Sequence, residues 1–210
     1  MYSVLFVCTG NTCRSPMAEH MFKKMLMEYR LAEEVSVRSA GLSSVTGQHI
    51  SHNALKVLVR RGLQHVERHR ARRVSHEQVS GANLVLAMTM DHKREIIRRF
   101  PEAVDKVYTL LEYATEDVLT KQLWDEWQKL TVETQLAHVG TSDGAGDEYV
   151  TSEARRLRLE FLEEQLPMLD IPDPFGQNED AYELTAEELE SACEQALFRL
   201  RRELAKGDGA

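Results

Sequence analysis

A cysteine and an arginine near the N-terminus, Cys8 and Arg14, have the types and spacing of a nucleophile and a phosphate-binding cation. Four apolar residues precede the cysteine, which is typical of a buried strand, and Pro16 suits the first turn of a helix. A loop between strand and helix points backbone N–H groups and the positive end of a helix dipole at one place, which favours a tetrahedral oxyanion. A thiol beside that dipole and a guanidinium is held as thiolate, so the stretch predicts a nucleophile at a phosphate site.

Two other kinds of loop fit this stretch less well. A Walker-type nucleotide loop needs Gly-Lys followed by Ser or Thr before the helix, and that sequence is missing here. A zinc site needs further Cys or His pairs, yet the one cysteine outside the stretch, Cys193, lies far along the chain. We expect no metal and no other cofactor, because the loop N–H groups and the guanidinium supply the positive field.

Residues 7–19, VCTGNTCRSPMAE, resemble the signature of the low-molecular-weight protein tyrosine phosphatases, and within that family most resemble the bacterial protein arginine phosphatases. The similarity continues at residues 39–41, 84–89 and 173–176. It covers about residues 1–114 and 169–205, and the block between them has no counterpart in the family pattern.

The resemblance implies a two-step reaction through a phosphocysteine. Cys8 thiolate attacks phosphorus, while Arg14 and the loop N–H groups hold the equatorial oxygens. Asp173 protonates the leaving group and then activates the water that hydrolyses the intermediate. Ser15 hydrogen-bonds the sulfur, and Phe175 lines the entrance. The other phosphate-binding positions implied are Thr9, Gly10, Asn11, Thr12 and Cys13.

Two residues outside the loop are expected to support it. The resemblance suggests that the Ser39 hydroxyl acts through Asn11, although a solvated strand end is the plainer interpretation of that serine. It also places a histidine on the same network, and His69 fits that position, with His65 as the competing choice. Gly41 has no side chain, so the backbone there can approach the phosphate loop.

The residue at position 12, a threonine, indicates which phosphorylated side chain is the substrate. Tyrosine-selective members of the family carry a larger aliphatic residue at this position, whereas a β-hydroxyl leaves room for a planar guanidinium and a polar contact with it. The predicted activity is therefore removal of phosphate from phosphoarginine, with phosphotyrosine as the alternative substrate.

Two further classes of protein share parts of the pattern. Arsenate reductases have a similar loop but relay oxidation to two more cysteines near the middle of the chain, where this sequence has none. A phosphate-binding module without catalytic activity would keep Arg14 but could lose Cys8 or Asp173. This sequence retains both Cys8 and Asp173. A cysteine phosphatase fits better than either.

Alternating strand and helix patterns predict one α/β domain over residues 1–210, a four-stranded parallel sheet with helices on both faces. Residues 106–110 are the fourth strand, and the phosphate loop lies at the carboxyl end of the first. Residues 115–168 are predicted to be an inserted helical hairpin with a turn at 140–147. The hairpin either packs on the side of the domain as an elaboration or forms a lid or a partner-binding surface beside the active site. Thr185 and Glu188 form the capping box expected to start the last helix.

The net charge of −8 is unevenly distributed. Residues 1–110 hold 17 Lys and Arg against 10 Asp and Glu, and the remainder is strongly acidic. An arginine cluster in the basic half could steer an anionic substrate: Arg60, Arg61, Arg68, Arg70, Arg72 and Arg73. We expect phosphorylated proteins as partners, no nucleic acid and no membrane, with partner binding or self-association through the hairpin as a further option.

Three cysteines do not make a disulfide scaffold, so a reducing, cytoplasmic location is expected. Cys13 lies five residues beyond Cys8 in a loop that folds back on itself. Peroxide attacks accessible thiolates first, and a neighbouring thiol traps the sulfenic acid as a disulfide. The pair therefore predicts reversible redox regulation through Cys8 and Cys13, although Cys13 could simply fill space behind the loop.

Overall fold

The structure is a computed structural model that describes residues 1–115, 118–137, 147–165 and 169–207. A parallel sheet of four strands forms its centre, in the order β2-β1-β3-β4. The strands are β1 (Tyr2–Cys8), β2 (Val35–Gly41), β3 (Leu84–Ala87) and β4 (Val107–Thr109). The predicted sheet is confirmed, and the carboxyl end of β1 carries the phosphate loop.

Helices follow the strands as crossover connections require. They are α1 (Arg14–Glu28), α2 (His52–Arg60), α3 (His76–Gly81), α4 (Met90–Arg99), α5 (Leu110–Ala114), α6 (Val118–Ala137), α7 (Asp147–Gln165) and α8 (Glu179–Gly207). Short 3₁₀ turns lie at Val66–Arg68 and Pro101–Lys106. In the part of the chain that the structure describes, no helix combines the length and apolar character needed to cross a bilayer.

Both faces of the sheet are covered, as the strand periodicity shows. Val4 and Phe6 of β1 belong to a core shared with α1, α2, α5 and α8, whereas Leu5 and Val7 belong to a second core shared with α3 and α4. All four side chains are buried, because alternate residues of a strand point to opposite faces. The sequence of a strand that is buried on both faces is continuously apolar, as in the run before Cys8.

Two predicted boundaries are wrong. The fourth strand stops at Thr109, since Thr109 forms a capping box with Glu112 and starts α5. The last helix begins at Glu179, six residues before the predicted cap, where the Asn178 side chain accepts a hydrogen bond from the N–H of Ala181. Thr185 is buried inside that helix and donates to a carbonyl one turn earlier.

The chain divides into two compact units: Met1–Thr115 with Leu169–Ala210, and Glu116–Met168. The second unit contains α6 and α7, which lie against each other. Arg158 holds Glu126 through two hydrogen bonds of 2.7 and 2.8 Å, and the Trp127 indole donates to Glu163 at 3.2 Å. The turn predicted at 140–147 lies outside the described residues, except for Asp147, the first residue of α7.

Candidate active site

Two polar groups contact the sulfur of Cys8, which ends β1. The N–H of Asn11 donates to Sγ at 3.2 Å, and Ser15 Oγ lies 3.0 Å from the same sulfur. The single Ser15 hydroxyl proton has two acceptors within reach, the Cys8 sulfur and the Ala40 carbonyl at 3.3 Å, while Asn11 Nδ2 donates to the hydroxyl oxygen at 3.0 Å. The Asn11 N–H is therefore a fixed donor to the sulfur, and the Ser15 hydroxyl is a second polar group in contact with it.

Asn11 holds the loop in shape. Its φ of 55° lies in the left-handed region, which asparagine tolerates better than most residues. Its side-chain amide donates to the hydroxyls of Ser15 and Ser39, and Oδ1 accepts from the Arg72 N–H at 2.9 Å. Its carbonyl accepts from His69 Nε2 at 2.9 Å. The left-handed turn is therefore fixed from three neighbouring segments.

The two predicted supporting residues both contact this asparagine. Ser39 is buried, and its hydroxyl donates to the Glu19 carboxylate, which also pairs with Lys23. Burial lowers the pKa of His69, so the imidazole is neutral at neutral pH and must carry its proton on Nε2 to donate to a carbonyl. His65 is mostly exposed and lies near Glu67, so the structure places His69 and not His65 at the loop.

Gly41 is the position where β2 passes closest to the loop. A Cβ built there would lie 2.1 Å from Ser44 Oγ, 2.7 Å from the Thr9 carbonyl oxygen and 2.9 Å from the Asn11 nitrogen. Two of those atoms belong to the backbone and cannot move aside cheaply. The expected close approach is confirmed, and any side chain at this position would displace the phosphate loop.

The remaining loop residues are also anchored. The Gly10 carbonyl accepts from the Ser44 hydroxyl at 2.8 Å, and the Thr12 carbonyl accepts from the Ser51 N–H at 2.9 Å. Thr12 is 6% exposed. Its side chain is therefore largely shielded from solvent.

Arg14 connects the loop to residues 173–176, one of the stretches that carry the family resemblance. Arg14 is 4% exposed, and its guanidinium donates to Asp173 Oδ2 at 2.6 Å and to the Ile171 carbonyl at 3.1 Å. The Asp173 side chain is about half exposed. The structure thus brings together an arginine and an aspartate that lie 159 residues apart.

The segment carrying Asp173 is held against the end of β3. The Ile171 N–H donates to the Met88 carbonyl at 2.8 Å, and Asp170 Oδ1 accepts from the first N–H of α4 at 2.7 Å. Asp173 Oδ1 accepts from the N–H of Phe175, whose side chain is 67% exposed. The carboxylate is therefore positioned by backbone contacts, while the aromatic ring faces solvent.

His92 also contacts the loop, and the sequence interpretation missed it. Its Nε2 lies 2.8 Å from Thr9 Oγ1, and Nδ1 is buried with no hydrogen-bond partner among the described residues. Burial, with the charge of Arg14 as a smaller cause, lowers the pKa of His92 to about 4. The imidazole is neutral at neutral pH and adds no positive charge beside the guanidinium. Thr89 caps α4, so the sequence predicts the start of this helix, but it gives no indication that His92 contacts Thr9.

Cys13 lies in a polar cluster that the sequence did not reveal. Its Sγ donates to Ser51 Oγ at 3.4 Å and lies 3.3 Å from the Tyr182 hydroxyl. Burial, helped by the hydrogen bond with Cys13, raises the pKa of Tyr182 to about 12. All three cysteines are free thiols. Redox pairing of Cys8 with Cys13 stays a prediction.

Comparison with known proteins points to one family. The model for low molecular weight phosphotyrosine protein phosphatase matches residues 3–125. A protein-arginine-phosphatase of Geobacillus stearothermophilus is 43% identical over 114 residues, which are 54% of this chain and 72% of that protein. The low molecular weight protein-tyrosine-phosphatase PtpB of Staphylococcus haemolyticus is 35% identical over 113 residues, 54% and 75% of the two chains.

A solved structure is similar over most of its length. It is the YwlE arginine phosphatase as a cysteine-to-serine mutant with a phosphorylated active-site serine. The TM-score is 0.66 at 30% sequence identity, and the match covers 95% of each chain.

Proposed function

Because this chain belongs to the low-molecular-weight phosphotyrosine protein phosphatase family, we propose that it removes phosphate from phosphorylated protein side chains, phosphoarginine first among them. The observation that carries the proposal is the Cys8 sulfur with two polar contacts at the mouth of a loop whose arginine, Arg14, is buried. The substrate assignment is supported by the named arginine phosphatases among its relatives. The three free thiols agree with a cytoplasmic location.

In the first step the Cys8 thiolate attacks phosphorus, and the bond from phosphorus to the leaving nitrogen breaks. Loop N–H groups and the Arg14 fork bind the equatorial oxygens, which carry the charge in the transition state. The electron pair of the broken bond goes to the guanidine nitrogen, and Asp173 supplies its proton. The product of this step is a phosphocysteine and a free arginine side chain.

In the second step water attacks the phosphocysteine and restores the thiolate. The Asp173 carboxylate, formed when it gave up its proton, accepts one from that water. Ser15 stabilises the departing sulfur, because its hydroxyl lies 3.0 Å from Sγ. The phosphorylated serine of the YwlE mutant supports a covalent intermediate at this position.

The proposal is tested by measuring phosphate release from two peptides of one sequence that differ only in phosphoarginine or phosphotyrosine. We expect a higher kcat/KM for phosphoarginine. Arsenate-dependent thiol consumption serves as the third assay and should stay at background. A clear preference for phosphotyrosine would replace the substrate assignment while leaving the phosphatase mechanism in place.

Thr12→Ile should move the preference toward phosphotyrosine. Thr12 is nearly buried in the loop, so the larger aliphatic group would crowd a planar guanidinium and remove its polar contact. Contacts of this size change selectivity by about 10- to 100-fold. The measurement is the ratio of kcat/KM for the two peptides. Thr12→Ser, which retains the hydroxyl, is the matched control and should keep the ratio; an unchanged ratio in Thr12→Ile contradicts the role.

We further propose that residues 116–168 are an insertion that completes no part of the sheet. Within the described residues, the four strands all belong to the other compact unit. Replacing the insertion by a Gly/Ser linker of about eight residues should leave a cooperatively melting domain. Thermal unfolding and turnover of free phosphoarginine measure this, with the full chain as reference. A molten or insoluble product would mean that the insertion is needed for folding.

A further inference from the structure

The arginines between residues 60 and 73 do not form one uniform patch. Arg60 and Arg61 pair with carboxylates of α8, and Arg70 donates to backbone carbonyls. The α8 partners are Glu179, Glu183 and Glu190. Within the described ranges, Arg72 and Arg73 have no ion-pair partner, so their charge remains available to a ligand.

These two arginines line a cavity of about 490 Å³ together with Arg38 of β2. Four hydroxyl side chains share the lining: Ser3, Ser36, Thr46 and Ser75. Glu77 also lines it, so the charged side chains of the lining carry a net positive charge. All three guanidinium-bearing residues are exposed, and Arg38 lies on the strand at one edge of the sheet.

The segment that carries Arg72 and Arg73 also contacts the phosphate loop. The Arg72 N–H donates to Asn11 Oδ1, and the Arg72 carbonyl accepts from the Gly41 N–H, each at 2.9 Å. The Val74 N–H donates to the Gly41 carbonyl at 2.9 Å. One stretch of backbone therefore joins the lining of the cavity to the residue that shapes the loop.

We propose that this cavity binds an acidic segment of the phosphorylated protein substrate while the phosphorylated side chain occupies the loop. The inference rests on the proposed function, since it names a feature of that substrate. Guanidinium groups bind carboxylates through paired hydrogen bonds, and hydroxyls accept or donate beside them. The described lining contains no aromatic side chain on which nucleic-acid bases could stack, so an acidic peptide is the fitting ligand.

The kinetic test uses two phosphoarginine peptides that differ only in a flanking run of three glutamates or three glutamines, with spacers of two, four and six residues. Wild type should prefer the glutamate peptide through a lower KM at one or more spacers. The double variant Arg38→Gln/Arg73→Gln should lose about tenfold of that preference, in line with two exposed charge pairs. The preference should also fade in about 0.5 M salt, because exposed charges are screened.

A matched control distinguishes binding at this cavity from a general effect of the protein's positive charge. Arg30→Gln/Arg68→Gln removes the same charge from exposed positions outside the lining and should keep the preference. Equal loss in both double variants, or no glutamate preference in wild type, overturns the proposal. Turnover of free phosphoarginine should be the same in both double variants as in wild type. If wild type does not hydrolyse free phosphoarginine at all, the proposed function has failed, and not the proposed binding site.

Direct binding provides a readout that does not depend on turnover. A fluorescent peptide with the glutamate run and no phosphate should bind wild type more tightly than Arg38→Gln/Arg73→Gln by anisotropy. Equal binding to the two proteins overturns the proposal whatever the enzyme hydrolyses.

Discussion

Cys8→Ser is expected to lower kcat for phosphoarginine by on the order of 10⁵-fold, because a serine hydroxyl is not ionised near neutral pH and cannot replace a thiolate. Phosphate binding should survive, since the loop N–H groups and Arg14 supply the cradle. Steady-state turnover measures the first effect, and titration calorimetry with inorganic phosphate measures the second. A slowly accumulating protein species heavier by one phosphoryl group would match the phosphorylated serine of the YwlE mutant.

Cys13→Ser is the matched control for this prediction. It makes the same sulfur-to-oxygen change in the same loop, and Ser51 and Tyr182 can still hydrogen-bond to the new hydroxyl. Its kcat should stay within about tenfold of wild type, since only modest rearrangement of a polar cluster is involved. Turnover by Cys8→Ser at the level of that control would remove Cys8 as the nucleophile.

The parts of the site that the sequence predicted are local. Cys8, Asn11 and Ser15 lie within eight residues, and a buried strand followed by a helix start is enough to place them around one point. Gly41 could be anticipated because the absence of a side chain permits close approach. Asp173 and His69 were reached only through the family resemblance, since no local pattern connects them to the loop.

The contacts that were missed arise from packing between distant elements. His92 meets Thr9 because β3 pairs with β1 in parallel register and α4 starts just beyond β3. Tyr182 reaches Cys13 from α8, and hydrophobic periodicity gives no information about such a hydroxyl contact. The misplaced start of α8 has a different cause, since Asn178 and Thr185 are both acceptable caps and only the tertiary structure selects the first.

Asp173→Asn is expected to separate two kinds of substrate. The amide keeps the shape of the carboxyl group, and Oδ1 can still accept from Phe175, but it has no proton to give to a leaving group. Turnover of phosphoarginine, whose guanidine nitrogen needs that proton, should fall by about 10²- to 10⁴-fold. Turnover of p-nitrophenyl phosphate, whose leaving group is a weak base, should fall much less.

Asp170→Asn is the matched control, because it makes the same change three residues earlier, in a carboxylate that accepts from the first N–H of α4, whereas the hydrogen bonds of the Arg14 guanidinium to described residues go to Ile171 and Asp173. It should affect both substrates equally and weakly. The Asp173 variant should also bind inorganic phosphate more tightly than wild type, since it removes a negative charge 2.6 Å from the guanidinium that grips the anion. If Asp173→Asn slows both substrates alike and leaves phosphate affinity unchanged, Asp173 neither donates the proton nor shares Arg14 with the substrate.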